Sequence, residues 1–250
     1  MILLDGKKTS ADIKEEIALE VRELKNRGNK TPHLAAVIVG NDGASITYVN
    51  AKVKACERVG FESTLIRLPK ETSEEDLLNE IAILNIDNDI DGFIVQLPLP
   101  KGINQENILD KVLPKKDVDG FNPINYGKMA LGIETFLPAT PAGIIELIKR
   151  YSIDLKGKKC LVIGRSQIVG RPISILLSQN KIFGNATVTV AHSRSNNLKE
   201  ICLDSDIIIS AIGIPEFIKE DMIKTGSIIT FLFLKSVSDS NPKTPFFKSL

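Results

Sequence analysis

Short apolar runs that alternate with amphipathic segments constrain the fold of this chain more than any other feature. The run HLAAVIVG at 33–40 is bounded by proline and glycine, as a buried strand would be. ESTLIRLP and DGFIVQLPLP follow as two further strand candidates. Between these runs the apolar residues have helical spacing, with Gly60 placed to end one helix and Ser73 to begin the next. Strand–helix alternation of this kind predicts parallel βαβ units.

The alternation is interrupted once and then restarts. An amphipathic helix is predicted over 10–28, with Ser10 as its cap, and residues 101–138 are loop-rich. A helix is predicted over 140–151 with Thr140 as its cap, and KKCLVIG, ATVTVAHS and SDIIISAIG supply three more strands. We therefore predict an α/β fold of two domains. An N-terminal α/β substrate domain covers 1–138, and a C-terminal Rossmann-like domain with a parallel sheet covers 139–250.

Composition narrows the possible functions. The 250 residues are 43% hydrophobic and 25% charged with a net charge of +1, which gives no reason to expect nucleic acid or an anionic membrane as a partner. The three cysteines are far apart in apolar contexts and two histidines are too few for a histidine-rich metal site, so no metal is expected. No apolar run approaches the length of a membrane span, and the N-terminal one is too short for a signal sequence. We expect a cytoplasmic protein.

The stretch GRSQIVGRPISILL predicts a dinucleotide site in the second domain. A strand precedes it and a helix opens near Pro172, while Gly164 and Gly170 lie in the turn between them. Glycines at such a turn let a pyrophosphate approach the backbone and the positive end of the helix. The spacing differs from the standard G-x-G-x-x-G motif, so the strand and helix around the turn support the prediction more than the glycines do.

Charged residues around this turn favour NADP over NAD. An NAD enzyme usually places an acidic residue after the second strand to bind the ribose 2′-hydroxyl. This chain has HSRS there, with Arg194 and no acid, and Arg165 and Arg171 stand in the turn. Guanidinium groups suit a 2′-phosphate. Each arginine alone is typical of a solvated surface, and the three near one predicted site together favour NADP.

Polar residues in the first domain admit two interpretations each. Tyr48 and Lys52 share one face of a predicted helix with Ser45, which, taken alone, is more typical of a solvated surface than of a catalytic site. Gln96 interrupts an apolar strand, so its amide needs a partner that either Lys52 or the neighbouring backbone could supply. Asp119 lies next to a glycine and, taken alone, is more typical of a turn.

Several long motifs together resemble one known family. The stretches are SITYVNAKVKACERVG, DGFIVQLPLP, PKKDVDGFNPINYGKMALG, FLPATPAGIIELIKRY, GRSQIVGRPISILL and ATVTVAHSRS. They resemble the bifunctional methylenetetrahydrofolate dehydrogenase/methenyltetrahydrofolate cyclohydrolase family. The resemblance implies NADP-dependent oxidation of 5,10-methylenetetrahydrofolate, hydrolysis of the methenyl product to 10-formyltetrahydrofolate, and a homodimer.

The resemblance also implies roles for individual residues. Lys52 is expected to be the catalytic group and Gln96 its partner, while Tyr48 packs over the folate and Asp119 binds the pterin-type ring. Ser45 and Pro98 are expected to complete the folate site. NADP is expected to contact Gly164, Arg165, Ser166, Gly170, Arg171, Ser193 and Arg194.

The end of the chain departs from the family pattern. From residue 230 the motif match stops, although IITFLFL can complete a strand, and the remaining residues predict a weakly ordered tail. This leaves an inactive folate- or nucleotide-binding protein as an alternative function. A short-chain dehydrogenase, which also uses Tyr-x-x-x-Lys, is disfavoured because its glycine-rich turn precedes the tyrosine, whereas Gly164 follows Tyr48 here.

Overall fold

The structure is a computed structural model that describes residues 4–231 and 247–249. The chain forms two compact units. The first unit consists of residues 10–128 and 134–137. The described part of the second unit consists of residues 4–9, 129–133, 138–231 and 247–249. The two-domain α/β fold with parallel sheets is therefore as the sequence predicts.

The first unit is built on a parallel sheet of three strands, β1 (His33–Val39), β2 (Glu62–Leu68) and β3 (Gly92–Val95). Their order is β2-β1-β3, so β1 is central. The helices of this region are α1 (Gly6–Asn26), α2 (Gly43–Val59), α3 (Glu74–Ile86), α4 (Gln105–Lys111) and α5 (Pro123–Ala130). Since β1 connects first to β2 and the chain then returns on the other side of β1 to form β3, the carboxyl ends of β1 and β3 flank the point where the strand order reverses.

Both faces of β1 are buried, which explains its continuous apolar run. One face packs with the apolar residues of α3, including Leu77 and Ile81, and the other with Val49 of α2. A strand covered by helices on both faces has no solvent side and therefore shows no alternation of polar residues.

The second unit contains a larger sheet in the order β5-β4-β6-β7-β8. The parallel strands are β4 (Lys159–Ile163), β5 (Thr187–Ala191), β6 (Ile207–Ser210) and β7 (Ile228–Phe231), and β8 (Phe247–Ser249) is antiparallel to β7. The helices are α6 (Ala139–Arg150), α7 (Gly170–Ser178) and α8 (Leu198–Asp204), with a short 3-10 turn at Glu220–Met222. The strand order reverses here between β4 and β6.

Several local predictions are wrong in detail. α1 begins at Gly6 and not at Ser10, because Asp5 Oδ1 accepts a hydrogen bond from Lys8 N and so caps an earlier start. Thr140 does not cap α6, which begins at Ala139 after Pro138. The loop-rich stretch contains α4 and α5, which are too short to show a clear helical stripe in the sequence.

The predicted tail falls largely on residues 232–246 and 250, which lie outside the described residues. The predicted strand at its start is confirmed by β7, and β8 extends the sheet beside it. Within the part of the chain that the structure describes, no helix is long and apolar enough to span a membrane. The same residues contain no cluster of three or more His, Cys, Asp or Glu side chains suited to a metal ion.

Candidate functional site

Helix α2 carries three of the predicted site residues and starts at the carboxyl end of β1. Asp42 caps the helix by accepting a hydrogen bond from Ser45 N at 2.8 Å, and this bond lowers the pKa of Asp42. Gly60 ends the helix in the left-handed conformation, with φ of 83°. The predicted end of this helix is therefore confirmed, and the cap at Asp42 is a residue that the sequence reasoning missed.

The three side chains on α2 differ in their environment. Ser45 is buried, Lys52 is half-buried and Tyr48 is exposed. Val49 between them packs against the sheet in the same core cluster as Val118. The helix face that carries Lys52 is thereby anchored beside the segment that carries Asp119.

Gln96 follows the last residue of β3, at the same edge of the sheet as the start of α2. Its backbone N–H donates to Val37 O at 2.8 Å, and its side-chain Nε2 donates to Leu97 O at 2.7 Å. Gln96 Oε1 is buried and has no hydrogen-bond partner among the described residues. The nitrogen of the Gln96 amide thus has a backbone partner, whereas its oxygen has none among the described residues. The expected hydrogen bond between this oxygen and Lys52 is not formed in this structure. The exposed Pro98 follows after a cis peptide bond.

The two aspartates of KKDVDGF have different environments. Asp117 is buried, and its carboxylate accepts hydrogen bonds from Phe121 N, Asn122 N and Asn125 Nδ2. Asp117 therefore organises the backbone that follows it. No hydrogen bond of this kind to the Asp119 carboxylate is found in the described structure, so that side chain is available to a ligand.

Asp119 and Lys52 interact electrostatically. Burial raises the pKa of Asp119 above its ordinary value, and the nearby positive charge of Lys52 opposes this rise. The negative charge of Asp117 adds to the rise. The Lys52 amine and the Asp119 carboxyl are therefore within electrostatic range of each other, and the described structure shows no ion pair between them.

In the second unit, the turn between β4 and α7 is too crowded to admit a side chain at either of its two glycines. Gly164 has φ of 114°, and a Cβ atom there would lie 2.8 Å from Ala211 O in the segment after β6. A Cβ atom on Gly170 would lie 2.3 Å from Gly164 O. Side chains at either position would displace the backbone, so both glycines are required for this turn. This crowding lies at the switch point of the sheet, where nucleotides bind in such folds.

The remaining residues of the predicted cofactor site surround the same sheet edge. Ser166 Oγ accepts from the N–H groups of Val169 and Gly170 at 3.2 and 3.3 Å, which orders the start of α7. Arg165, Ser166, Arg171, Ser193 and Arg194 are all exposed.

The HSRS segment after β5 is a closed turn. Ser195 Oγ accepts from His192 N at 2.9 Å, and Arg194 N donates to His192 Nδ1 at 3.2 Å. These bonds hold the backbone of Arg194 just beyond the strand end. Because β4 and β5 are parallel neighbours, the HSRS turn and the glycine turn lie at the same edge of the sheet.

Comparison with known proteins decides the family. The family model described as "Tetrahydrofolate dehydrogenase/cyclohydrolase, catalytic domain" matches residues 4–119, and that of the corresponding NAD(P)-binding domain matches residues 138–240. The chain belongs to the tetrahydrofolate dehydrogenase/cyclohydrolase family. A relative from Flavobacterium psychrophilum, named bifunctional protein FolD, is 57% identical over 239 residues, which cover 96% of this chain and 81% of the relative.

Solved structures of tetrahydrofolate dehydrogenase/cyclohydrolases share the fold. The bifunctional FolD enzyme of Campylobacter jejuni matches with a TM-score of 0.88 and 41% identity, over 100% of this chain and 85% of that one. The Trypanosoma brucei enzyme, described as complexed with NADP cofactor and inhibitor, matches with a TM-score of 0.90 and 31% identity, over 100% and 84%.

The family match also extends further along this chain than the motifs indicated. The NAD(P)-binding family model continues to residue 240, and a FolD protein of Cytophaga hutchinsonii is 54% identical over 246 residues. The expectation that the match to the tetrahydrofolate dehydrogenase/cyclohydrolase family stops at residue 230 is therefore wrong.

Proposed function

We propose that the first unit holds the folate and performs the one-carbon chemistry, while the second unit binds NADP. The chain is an NADP-dependent methylenetetrahydrofolate dehydrogenase and methenyltetrahydrofolate cyclohydrolase, as its family membership shows. What is proposed is which residues carry these activities. The observation that supports the assignment best is the electrostatic interaction of Lys52 with the half-buried carboxyl of Asp119, beside a sheet edge where the buried Oε1 of Gln96 has no partner among the described residues.

Lys52 acts as the base of the hydrolytic step. Loss of a hydride from the methylene bridge leaves a methenyl cation on the folate. Water adds to the methenyl carbon, and its proton passes to the neutral amine of Lys52. The bond from this carbon to N5 then breaks as the carbinol O–H loses its proton to solvent and the proton held by Lys52 passes to N5, which gives 10-formyltetrahydrofolate. A deprotonated lysine amine on this half-buried helix face can serve as the base of the step.

Gln96, Tyr48 and Asp119 orient the reactants. The buried Oε1 of Gln96 is an acceptor in need of a donor, which the amine of Lys52 or a folate N–H can provide. The exposed ring of Tyr48 offers a flat apolar face to the pterin. The Asp119 carboxylate offers two acceptor oxygens to a pair of ring N–H donors. Ser45 and Pro98 line the same end of the sheet.

The residues of the second unit fit a dinucleotide phosphate. Gly164 and Gly170 have no side chains, so a pyrophosphate can come close to the main chain of this turn at the start of α7. Gly164, Ser166 and Gly170 would hold the pyrophosphate, and Arg165, Arg171, Ser193 and Arg194 would hold the remaining phosphate. When bound, NADP supplies the acceptor for the hydride.

We also propose that the enzyme works in the cytoplasm as a homodimer. The cytoplasmic assignment is supported by three free, buried cysteines. Burial raises the pKa of Cys160 to about 12 and that of Cys202 to about 11, so these thiols are inert core residues and suit a reducing compartment. The homodimer rests on the family resemblance, and light scattering of the purified protein would test it.

A spectrophotometric assay tests the activity. Purified protein is mixed with 5,10-methylenetetrahydrofolate and either NADP or NAD, and formation of reduced nicotinamide is followed together with the methenyl absorbance. We expect turnover with NADP and little accumulation of methenyltetrahydrofolate. Calorimetric binding of NADP without any turnover would instead support the inactive binding protein, which no present finding favours.

A further inference from the structure

Lys116 is a buried lysine whose amine is completely occupied by the protein backbone. Its Nζ donates to Leu84 O at 3.0 Å, to Ile90 O at 2.7 Å and to Asp87 O. An ammonium group has three donors, and all of them are used here. Lys116 therefore has no donor left for a substrate and acts within the protein.

The three acceptors belong to the end of one helix and the connection to the next strand. Leu84 lies in the last turn of α3, Asp87 is its C-cap, and Ile90 precedes β3. The last carbonyls of a helix have no partner within it and carry partial negative charge, so a lysine is a favourable cap. Lys116 thus ties its own segment to the connection between α3 and β3.

The backbone around Lys116 is fixed to β3 as well. Lys116 O accepts from Phe93 N at 2.9 Å, and Asp117 forms a parallel bridge with Phe93. Val118 fits against the bare backbone of Gly92, where a Cβ atom would lie 2.3 Å from Val118 Cγ1. Asp119 comes directly after these contacts.

The segment after Asp119 is secured by Asp117. Its carboxylate accepts from Phe121 N at 3.2 Å and from Asn122 N and Asn125 Nδ2 at 2.8 Å each. Asp119 therefore lies in a short loop that is held on both sides, by Lys116 before it and by the Asp117 contacts after it. A carboxylate held in this way loses little conformational entropy when a ligand binds.

We propose that Lys116 is a positioning residue that sets the location of the Asp119 carboxylate for the folate ring. The inference rests on the proposed role of Asp119 in folate binding. Lys116 contributes through the backbone of residues 117–119, and it neither touches the substrate nor exchanges protons with it.

The test combines Lys116→Met with Asp119→Ala in the 250-residue protein. Lys116→Met keeps the side-chain length and removes the donors. We expect kcat/KM for methylenetetrahydrofolate to fall about 10- to 100-fold, because small displacements of a positioned group have effects of this size. The dissociation constant of NADP should be unchanged. Lys115→Met is the matched control, since Lys115 is exposed, and should behave like the original protein.

The double variant separates positioning from stability. Lys116→Met is expected to lower Tm, because it removes three hydrogen bonds, whether or not Asp119 is present. If Lys116 acts on the reaction through Asp119, however, Lys116→Met should change kcat/KM by less than about twofold in a protein that already carries Asp119→Ala. An equal loss of kcat/KM in both backgrounds, or a lower Tm with unchanged kcat/KM, would overturn the inference. If Asp119→Ala alone leaves folate binding intact, the proposed role of Asp119 fails instead.

Lys116→Arg provides a second variant should Lys116→Met fail to fold. It retains a positive charge and N–H donors but places them in a planar fork of different reach. We expect the protein to fold with a raised KM for methylenetetrahydrofolate and an unchanged NADP affinity. A normal KM in folded Lys116→Arg would count against a role in positioning.

Discussion

The carbonyl oxygen of Gly164 lies where any side chain on Gly170 would begin, at 2.3 Å from an ideal Cβ position. The turn after β4 and the first residue of α7 therefore touch through their backbones. We expect Gly170→Ala to force them apart and destabilise the protein by about 1–3 kcal/mol. NADP binding should weaken roughly 10-fold or more, as when a hydrogen bond to a charged phosphate is lost.

Gly143→Ala is the matched control for this prediction. Gly143 is in the exposed part of α6, and among the described residues nothing outside its own helical turns lies within 4 Å of its ideal Cβ position. This change should stabilise the protein by about 0.5–1 kcal/mol and leave NADP affinity as it was. Thermal unfolding and calorimetric titration with NADP measure both effects. Normal NADP affinity in Gly170→Ala would argue against a phosphate site at this turn.

Lys52→Met should abolish the hydrolytic step with little effect on the cofactor. Removing a general base typically lowers the rate about 10²- to 10⁴-fold. The measurement is the decay of methenyltetrahydrofolate absorbance, corrected for the uncatalysed reaction, together with an NADP titration. Lys54→Met, on the same helix and exposed, is the control and should retain its rate. A full cyclohydrolase rate in Lys52→Met would remove Lys52 from the mechanism.

Gln96→Ala should produce a smaller loss in the same direction. The substitution removes the buried Oε1 acceptor and leaves Leu97 O without its donor. If Gln96 orients the amine of Lys52, its removal should have little further effect on the hydrolysis rate in the Lys52→Met protein. A double-mutant cycle on that rate decides the matter. Additive losses in the two single variants would show that Gln96 acts independently of Lys52.

Arg194→Ala should narrow the preference for NADP over NAD. A charged hydrogen bond to the 2′-phosphate contributes about 1.5–3 kcal/mol, and NAD lacks that phosphate. We expect the dissociation constant for NADP to rise while that for NAD changes little. Titration of each cofactor into original and variant protein provides the comparison. Equal affinity of the original protein for both cofactors would contradict the predicted role of the arginines.

Asp119→Asn should stabilise the protein at neutral pH while weakening folate binding. Burial raises the pKa of Asp119 in the folded state, so its ionisation there is unfavourable relative to the unfolded chain. In the unfolded chain the pKa of Asp119 is near 3.9, and below this pH the protonated carboxyl contributes its full stability to the folded protein. This contribution is lost as the pH rises through the higher pKa that Asp119 has in the folded protein. The Tm advantage of Asp119→Asn should therefore be largest at neutral pH and disappear toward about pH 4.

Measured Tm values for Asp119→Asn and the original protein across this pH range test the prediction. A constant difference in Tm would show that the substitution acts through packing and not through ionisation. A lower Tm for the variant at neutral pH would show that the attraction to Lys52 outweighs the cost of burying the carboxylate.

Much of the fold was predictable because its elements have local causes. The apolar run of β1, the cap at Ser73 and the glycine end of α2 each follow from neighbouring residues. The start of α1 at Gly6 was missed because two residue types, Asp5 and Ser10, could both cap it, and the sequence gives no means of choosing. The short helices α4 and α5 were missed because they contain too few turns to establish a period.

The sequence also indicated the type of chemistry through the long motifs that resemble the dehydrogenase/cyclohydrolase family, but the tertiary structure decided which polar groups have partners within the protein. Asp117 and Asp119 are equivalent in the sequence, yet the first is occupied by three backbone and side-chain donors and the second interacts with Lys52. In the sequence, Lys116 likewise resembles its exposed neighbour Lys115. The folded structure distinguishes them, because the carbonyl groups that bind the Lys116 amine lie 26 to 32 residues earlier in the chain. Periodicity and turn preferences arise from the local backbone and can be found in the sequence. Burial and hydrogen-bond partners depend on segments distant along the chain, so only the folded arrangement identifies them.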